Sequence, residues 1–146
     1  MIKPHGSDAL DPRFVYDTER HHALTKEAES LPSLLVNSAA AANAVMLGAG
    51  YFNPLKGYMN KADALSVAAK LHTSAGLFWP VPVLNLTTDA AAIRGATRIA
   101  LRDPNVEGNP VLAIQTVEAI EEFSEAEINQ MAEKIFRTLD PKHPGV

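Results

Sequence analysis

The clearest hydrophobic pattern of the chain lies near its carboxyl end. Ser124 and Glu127 have the spacing of a capping box, in which each side chain bonds to the other residue's backbone N–H group. Hydrophobic residues then follow at helical spacing, at Ile128, Met131, Ala132, Ile135 and Phe136. The pattern predicts an amphipathic helix that begins after Ser124 and buries one face.

Two helices are predicted in the first third of the chain. Asp17 is a good N-cap for a polar helix over Thr18–Ser30, and a proline two residues later stops that helix. Ser38 is predicted to cap an alanine-rich helix over residues 39–47, with Gly48 as its left-handed stop.

A fourth helix is predicted over residues 61–72, opened by Asn60 with Asp63 in its first turn. The residues predicted to form its buried stripe are Leu65, Ala68, Ala69 and His72. The loop before it, residues 48–59, mixes turn residues with large apolar side chains. That mixture indicates a packed loop.

Three short strands are predicted. Residues 33–37 form a short apolar run, and residues 97–103 and 110–117 form two further runs joined by a turn-rich segment. The last two predict a hairpin with a long loop. Strands and helices together predict an α+β domain.

Residues 77–86 are apolar at both parities, so a strand there would be covered on both faces. Pro80 and Pro82 cannot donate to a strand ladder. The segment is therefore expected at a sheet edge or at a bulge.

Composition narrows the class of protein. The chain has 146 residues, of which 47% are hydrophobic and 21% charged, as in an ordinary globular domain. Its 13 basic and 17 acidic side chains give a formal net charge of −4, without a basic block, which argues against nucleic-acid binding. It has no cysteine, no signal-like start and no apolar run of ~18–20 residues, so we expect no membrane span and a cytoplasmic location.

Gly48-Ala49-Gly50 has the beginning of a dinucleotide fingerprint, but the third glycine is replaced by Asn53. Tight-turn glycines are the simpler interpretation. Arg98 and Arg102 share strand parity, and with Arg94 they are candidates for an anion-binding face. The alternative is a solvated outer face, because Ile99 and Leu101 of the opposite parity define the buried side.

A metal site is not expected. No two histidines have the helical spacing of metal ligands; they are His5, His21, His22, His72 and His143. An acidic run is expected to be a solvated face and a helix start; it comprises Glu118, Glu121, Glu122, Glu125 and Glu127.

Four segments resemble the amino-terminal part of ATP sulfurylase, also called sulfate adenylyltransferase. Residues 50–59 resemble that family's aromatic, Pro-Leu, Gly, aromatic, Met signature, and residues 78–83 its proline-interrupted strand. Residues 98–109 resemble its hairpin, and residues 138–146 its Thr, Asp, His-Pro-Gly-Val junction. Arg137 stands where many members have glycine.

The resemblance implies a PUA-like twisted β-barrel-type sheet with flanking helices over residues 1–137, and a junction to a missing catalytic domain over residues 138–146. The family binds ATP and sulfate through Gln-x-Arg-Asn-Pro and His-x-x-His segments of that later domain, and neither pattern occurs in this sequence. We therefore expect no catalytic residue, no metal and no cofactor in this chain, which alone should be inactive. Mg-ATP belongs to the longer enzyme, and the expected partners are its catalytic domain and a second copy in a homodimer.

Two alternatives stay open. PUA-like folds can bind RNA, so the chain could be a free-standing binding module, although its net charge of −4 and missing basic stripe count against this. A small enzyme using Arg94, Arg98 and His72 has no support from their spacing. Residues 140–146 contain two prolines, so we expect little local structure there.

Overall fold

A computed structural model describes residues 2–146 and divides them into two compact units. The first is the chain up to Tyr58 together with Asn85–Ile120, and the second is Met59–Leu84 together with Glu121–Val146. The α+β class is confirmed: within the described residues, four helices accompany a mixed sheet of three strands. Within residues 2–146 this sheet is open, where the resemblance implied a barrel-type sheet. The expected domain end at residue 137 stays a prediction.

The sheet belongs to the first unit. Its central strand is β2, Arg98–Arg102, which pairs in parallel with β1, Ser33–Leu35, and antiparallel with β3, Val111–Thr116. A bulge interrupts the β2–β3 register between Leu101 and Arg102. The predicted hairpin is thus confirmed, and each strand is shorter than its apolar run.

The first helix of this unit begins and ends at the predicted residues. Helix α1 is Thr18–Ser30, and the Asp17 carboxylate accepts from the Arg20 N–H at 2.7 Å. Leu31, which precedes a proline, has extended dihedrals of φ −82° and ψ 148°, so the helix cannot continue.

Helix α2 is Ser38–Ala49, one residue longer at its start and two at its end than expected. Asn37, and not Ser38, is its N-cap, since the Asn37 side chain accepts from the Ala40 N–H at 2.8 Å. Gly50, with φ 80°, is the left-handed stop expected at Gly48. Both cap predictions were therefore wrong: Asn37 and Ser38 are adjacent and both competent N-caps, and the helix continues through Gly48 to stop at the second glycine, Gly50.

The core of the first unit lies between α2 and the sheet. Ile99 and Leu101 are 1% exposed, and Ala40 of α2 is fully buried. Small side chains on α2 allow its backbone to approach the strands closely. The buried cluster comprises Leu34, Val36, Ala40, Ala41, Ile93, Ile99 and Leu101. A short 3₁₀ turn, Ala91–Ile93, supplies Ile93.

The second unit pairs α3, Lys61–Lys70, with α4, Glu125–Phe136. The Ser124 capping box is present as predicted, and so is the Asn60 N-cap. Helix α3 ends two residues early, at a left-handed Leu71.

The buried stripes of these two helices differ partly from the prediction. The core contains Ala64, Ala68 and Met131, with partly buried Leu65, Leu84, Phe123 and Ile135 around them. Ala69 and His72 are exposed and Ile128 is 44% exposed. Ala64 and Val67, which the predicted stripe of α3 omitted, are fully buried, so the buried face of α3 is displaced from the predicted one.

Residues 77–86 form no strand, and the only pairing there within residues 2–146 is an isolated bridge between Phe78 and His72. Trp79 and Val83 are buried, whereas Phe78 is 48% and Val81 is 42% exposed. The prediction of two covered faces was wrong, because prolines prevent the ladder that would place a second layer over the segment.

None of the helices described in residues 2–146 has the length and hydropathy needed to cross a bilayer.

Candidate functional site

Two of the three candidate anion-binding arginines are engaged by acceptors of the protein itself. Arg98 Nη1 lies 2.7 Å from Glu27 Oε1 on α1, with the two side chains 42% and 32% exposed. Arg102 donates from Nε to Ser33 Oγ at 3.1 Å and from Nη1 to the Asn109 carbonyl at 3.2 Å. Their shared parity is confirmed, and their donors serve to fasten α1, β1 and the β2–β3 loop to β2.

Arg94 lies apart from this strand. It is exposed and caps the 3₁₀ turn, with extended dihedrals of φ −62° and ψ 124°. Arg98 Nε is buried without a hydrogen-bond partner in residues 2–146. An anion role for these arginines remains a prediction without a test.

The glycines that begin the apparent fingerprint lie at the wrong end of a helix for phosphate. Gly48 is the last-but-one residue of α2, and Gly50 caps its carboxyl end. The Gly50 N–H donates back to carbonyls of the same helix. Because the helix dipole is negative at this end and the exposed groups are carbonyls, it disfavours an anion. The tight-turn interpretation holds for Gly50, whereas Gly48 lies inside the helix.

Two of the five histidines lie side by side on α1, and the others lie elsewhere in the chain. His21 and His22 lie on the exposed side of α1, where they line a shallow open depression with Thr25, Lys26 and Glu29. His72 Nδ1 lies 2.9 Å from the Lys70 carbonyl. Across residues 2–146, no three His, Asp or Glu side chains come close enough together to hold a metal ion.

Lys61 binds three acidic residues of the second unit, and sequence reasoning missed it. Its Nζ lies 2.8 Å from Glu127 Oε1 and donates to the Glu122 carbonyl at 2.8 Å. Its backbone N–H donates to Glu121 Oε2, also at 2.8 Å. Part of the predicted solvated acidic run therefore binds the first turn of α3.

The Glu127 carboxylate accepts from three donors. Lys61 Nζ and the Ser124 N–H each lie 2.8 Å from one of its oxygens, and Ser124 Oγ lies 3.0 Å away. The Lys61 hydrogen bond, followed by the Ser124 N–H, lowers the pKa of Glu127 to about 2. The charged form thus locks the start of α4 to α3.

Tyr58 ties the packed loop to α2. Its hydroxyl donates to the Ala40 carbonyl at 2.7 Å, and burial raises the pKa of Tyr58 to about 12. The neutral phenol is the form that can donate here. The predicted packed loop therefore has a defined anchor.

The junction segment has local structure that its prolines did not suggest. The His143 N–H donates to the Asp140 carbonyl at 2.9 Å, and the Gly145 N–H donates to His143 Nδ1 at 3.1 Å. The His143 ring lies 5.0 Å from the Phe136 ring at the end of α4. Turns can form between prolines because the bonds use the N–H groups of other residues.

Comparisons with known proteins agree with this architecture. A family model described as "PUA-like domain" matches residues 2–146. The whole chain aligns with sulfate adenylyltransferases: 64% identity in Allochromatium vinosum and 61% in Alcanivorax borkumensis. It covers 37% and 36% of those two proteins, so it spans about a third of their length.

A solved structure, "Hexameric APS kinase from Thiobacillus denitrificans", is similar to this chain with a TM-score of 0.67 and 32% sequence identity. The similar region covers 86% of this chain and 24% of the solved chain. The fold and the sequence thus lead to the same family. The chain belongs to the PUA-like domain family and corresponds to the amino-terminal part of sulfate adenylyltransferase.

Proposed function

We propose that this chain is the non-catalytic amino-terminal domain of a sulfate adenylyltransferase, and that it supports the catalytic domain and a dimer. The longer enzyme joins ATP and sulfate into adenylylsulfate and pyrophosphate, or runs the reverse reaction in sulfur oxidation. Mg-ATP and a cytoplasmic location belong to the same proposal.

The observation that carries the proposal is how three partly buried basic side chains are used. Arg98, Arg102 and Lys61 all donate to carboxylates, hydroxyls or carbonyls of their own unit. A site for adenylyl transfer needs preorganised donors aimed at the phosphate oxygens, where negative charge develops. Donors already bound to the fold stabilise the domain instead.

The solved relative supports the same conclusion from another direction. Sulfate adenylyltransferases and a protein named as an APS kinase all contain a region similar to this chain. Adenylyl transfer and phosphoryl transfer from ATP are different reactions. A region common to proteins named for both is suited to a task that neither reaction defines, such as presenting a catalytic domain.

The test uses the part of the Allochromatium vinosum relative that follows the region similar to this chain. That part is purified alone and mixed with this 146-residue chain, and ATP formation from adenylylsulfate and pyrophosphate is followed. We expect the two proteins to co-elute and the rate to rise with added chain until it saturates. An unrelated protein of similar size is the control.

A rate that ignores the added chain, together with separate elution of the two proteins, would contradict a supporting role. Sedimentation of the mixture also reports on the dimer. We expect a species with two copies of each part.

A further inference from the structure

A short segment before α1 crosses the carboxyl end of α2. The Arg13 and Phe14 N–H groups both donate to the Gly48 carbonyl, at 2.7 and 3.0 Å. This carbonyl is among the last four of the helix, which have no partner inside it. Residues 11–14, called the strap below, therefore complete the end of α2 from outside.

Gly48 leaves room for the Phe14 ring at this crossing. A Cβ added there would lie 2.4 Å from an edge carbon of the Phe14 ring, far inside van der Waals contact. Gly48 lies within the helix, where alanine would otherwise stabilise by roughly 0.5–1 kcal/mol relative to glycine. The glycine at position 48 thus lowers the stability of α2 but leaves room for the strap.

The strap also contacts residues 50–59, which follow α2 and are called the signature loop below. The Asp11 N–H donates to Asn53 Oδ1 at 3.1 Å, and Asn53 is only 8% exposed. Asn53 Nδ2 is buried without a hydrogen-bond partner in residues 2–146. A buried amide that already lacks one partner depends strongly on the one it has.

The strap is held by few buried contacts. Phe14 is 45% exposed, and Tyr16, whose ring packs edge-on against Phe14 at 6.2 Å, is 80% exposed. The Arg13–Asp11 ion pair is internal to the strap, and its side chains are 41% and 61% exposed. Segments with few buried contacts open locally at lower free energy than the core.

We propose that the strap is a detachable lid, and that residues 11–14 leave and return as one unit while α2 stays folded. Closing supplies donors to the Gly48 carbonyl and to Asn53 Oδ1 in a single step. Opening exposes both acceptors, the bare backbone of Gly48 and the buried Asn53 amide. The conformation of the signature loop is thereby coupled to the segment that precedes α1.

The first experiment is limited trypsin digestion of the full chain. Cleavage after Arg13 requires the Arg13–Phe14 peptide to leave Gly48. Gly48→Ala should raise that cleavage rate at least about 10-fold, because the new methyl group displaces the Phe14 ring. The matched control is Gly57→Ala, since a Cβ at Gly57 meets nothing within 4 Å; its rate should stay within about 2-fold of the original.

The second experiment is hydrogen exchange, which also covers the case in which Gly48→Ala does not fold. Phe14→Ala should speed exchange of the Arg13 and Phe14 amides at least about 10-fold and leave the amides at the centre of α2 unchanged. In the Gly48→Ala background the same change should add little, because the ring is already displaced. Equal cleavage rates for the two glycine variants, or parallel acceleration in α2 and the strap, would overturn the proposal.

Discussion

Lys61 and Glu127 join the first turns of α3 and α4, with Lys61 Nζ 2.8 Å from Glu127 Oε1. Each residue also binds a backbone group just before α4. Lys61 donates to the Glu122 carbonyl, and Glu127 accepts from the N–H of Ser124, the N-cap of α4. The pair therefore works as part of a network in which removal of one member leaves several groups without partners.

The network predicts an acid-sensitive second unit. Because the pKa of Glu127 falls from 4.5 to about 2 on folding, its contribution is fully present above about pH 4.5 and is lost as the pH falls toward 2. Glu127→Gln should flatten the dependence of Tm on pH in this window. Glu125→Gln removes a carboxylate from the same turn and should retain the slope.

Salt offers a second check on this pair. The two side chains are 27% and 29% exposed, so 1 M NaCl should screen part of the attraction and reduce the acid dependence. An unchanged slope in Glu127→Gln would show that other groups control the acid transition.

Burial along α4 predicts unequal effects of two truncations. Met131 is 6% exposed and packs on Ala64 and Ala68, so Met131→Ala should lower the free energy of unfolding by roughly 2–5 kcal/mol. Ile128 on the same helix is 44% exposed, so Ile128→Ala should lower the free energy of unfolding by less than half as much. Urea denaturation measures both values, and equal losses would contradict the burial described.

The carboxyl end of α4 predicts a stabilising substitution. Arg137 caps the helix with φ 60°, a left-handed conformation that costs an L-residue roughly 1–2 kcal/mol. Glycine there removes this cost but adds roughly 0.5–1 kcal/mol of unfolded-state entropy. Arg137→Gly should therefore raise the free energy of unfolding by up to about 1.5 kcal/mol, whereas Arg137→Ala, which keeps a Cβ, should not. Equal stability of the glycine and alanine variants would argue against the left-handed cap.

Caps and hairpins were predictable because they depend on neighbours in the sequence. Asp17, Asn60 and the Ser124 box each bind an N–H group three residues away, so local spacing was sufficient to find them. The choice between Asn37 and Ser38 was not, because both are competent caps and only the path of the chain selects one.

Long-range roles left no local signal. Gly48 was expected to stop a helix, but it accommodates Phe14, which lies 34 positions earlier in the chain. Lys61 was not singled out, because the carboxylate of Glu127 reaches it only once α3 and α4 have packed together. The resemblance to ATP sulfurylase identified the family without these contacts, since it depends on residue order in whole segments.

RNA affinity distinguishes a free-standing binding module from a supporting domain of a longer enzyme. With a net charge of −4, the chain should bind RNA no more tightly than the weak, salt-sensitive background of roughly 10⁻⁴–10⁻⁶ M. A gel-shift titration with structured and single-stranded RNA measures this. A tight, sequence-selective complex would favour the binding module over the supporting domain.

The most direct test of a non-catalytic role is the turnover of the purified 146-residue chain by itself. The chain is supplied with adenylylsulfate, pyrophosphate and Mg²⁺, and ATP is detected by luciferase luminescence, with the Allochromatium vinosum relative as the positive control. We predict ATP formation indistinguishable from a reaction without protein, at any concentration of chain. Luminescence that rises in proportion to the chain and persists after the preparation is freed of longer enzymes would contradict the account.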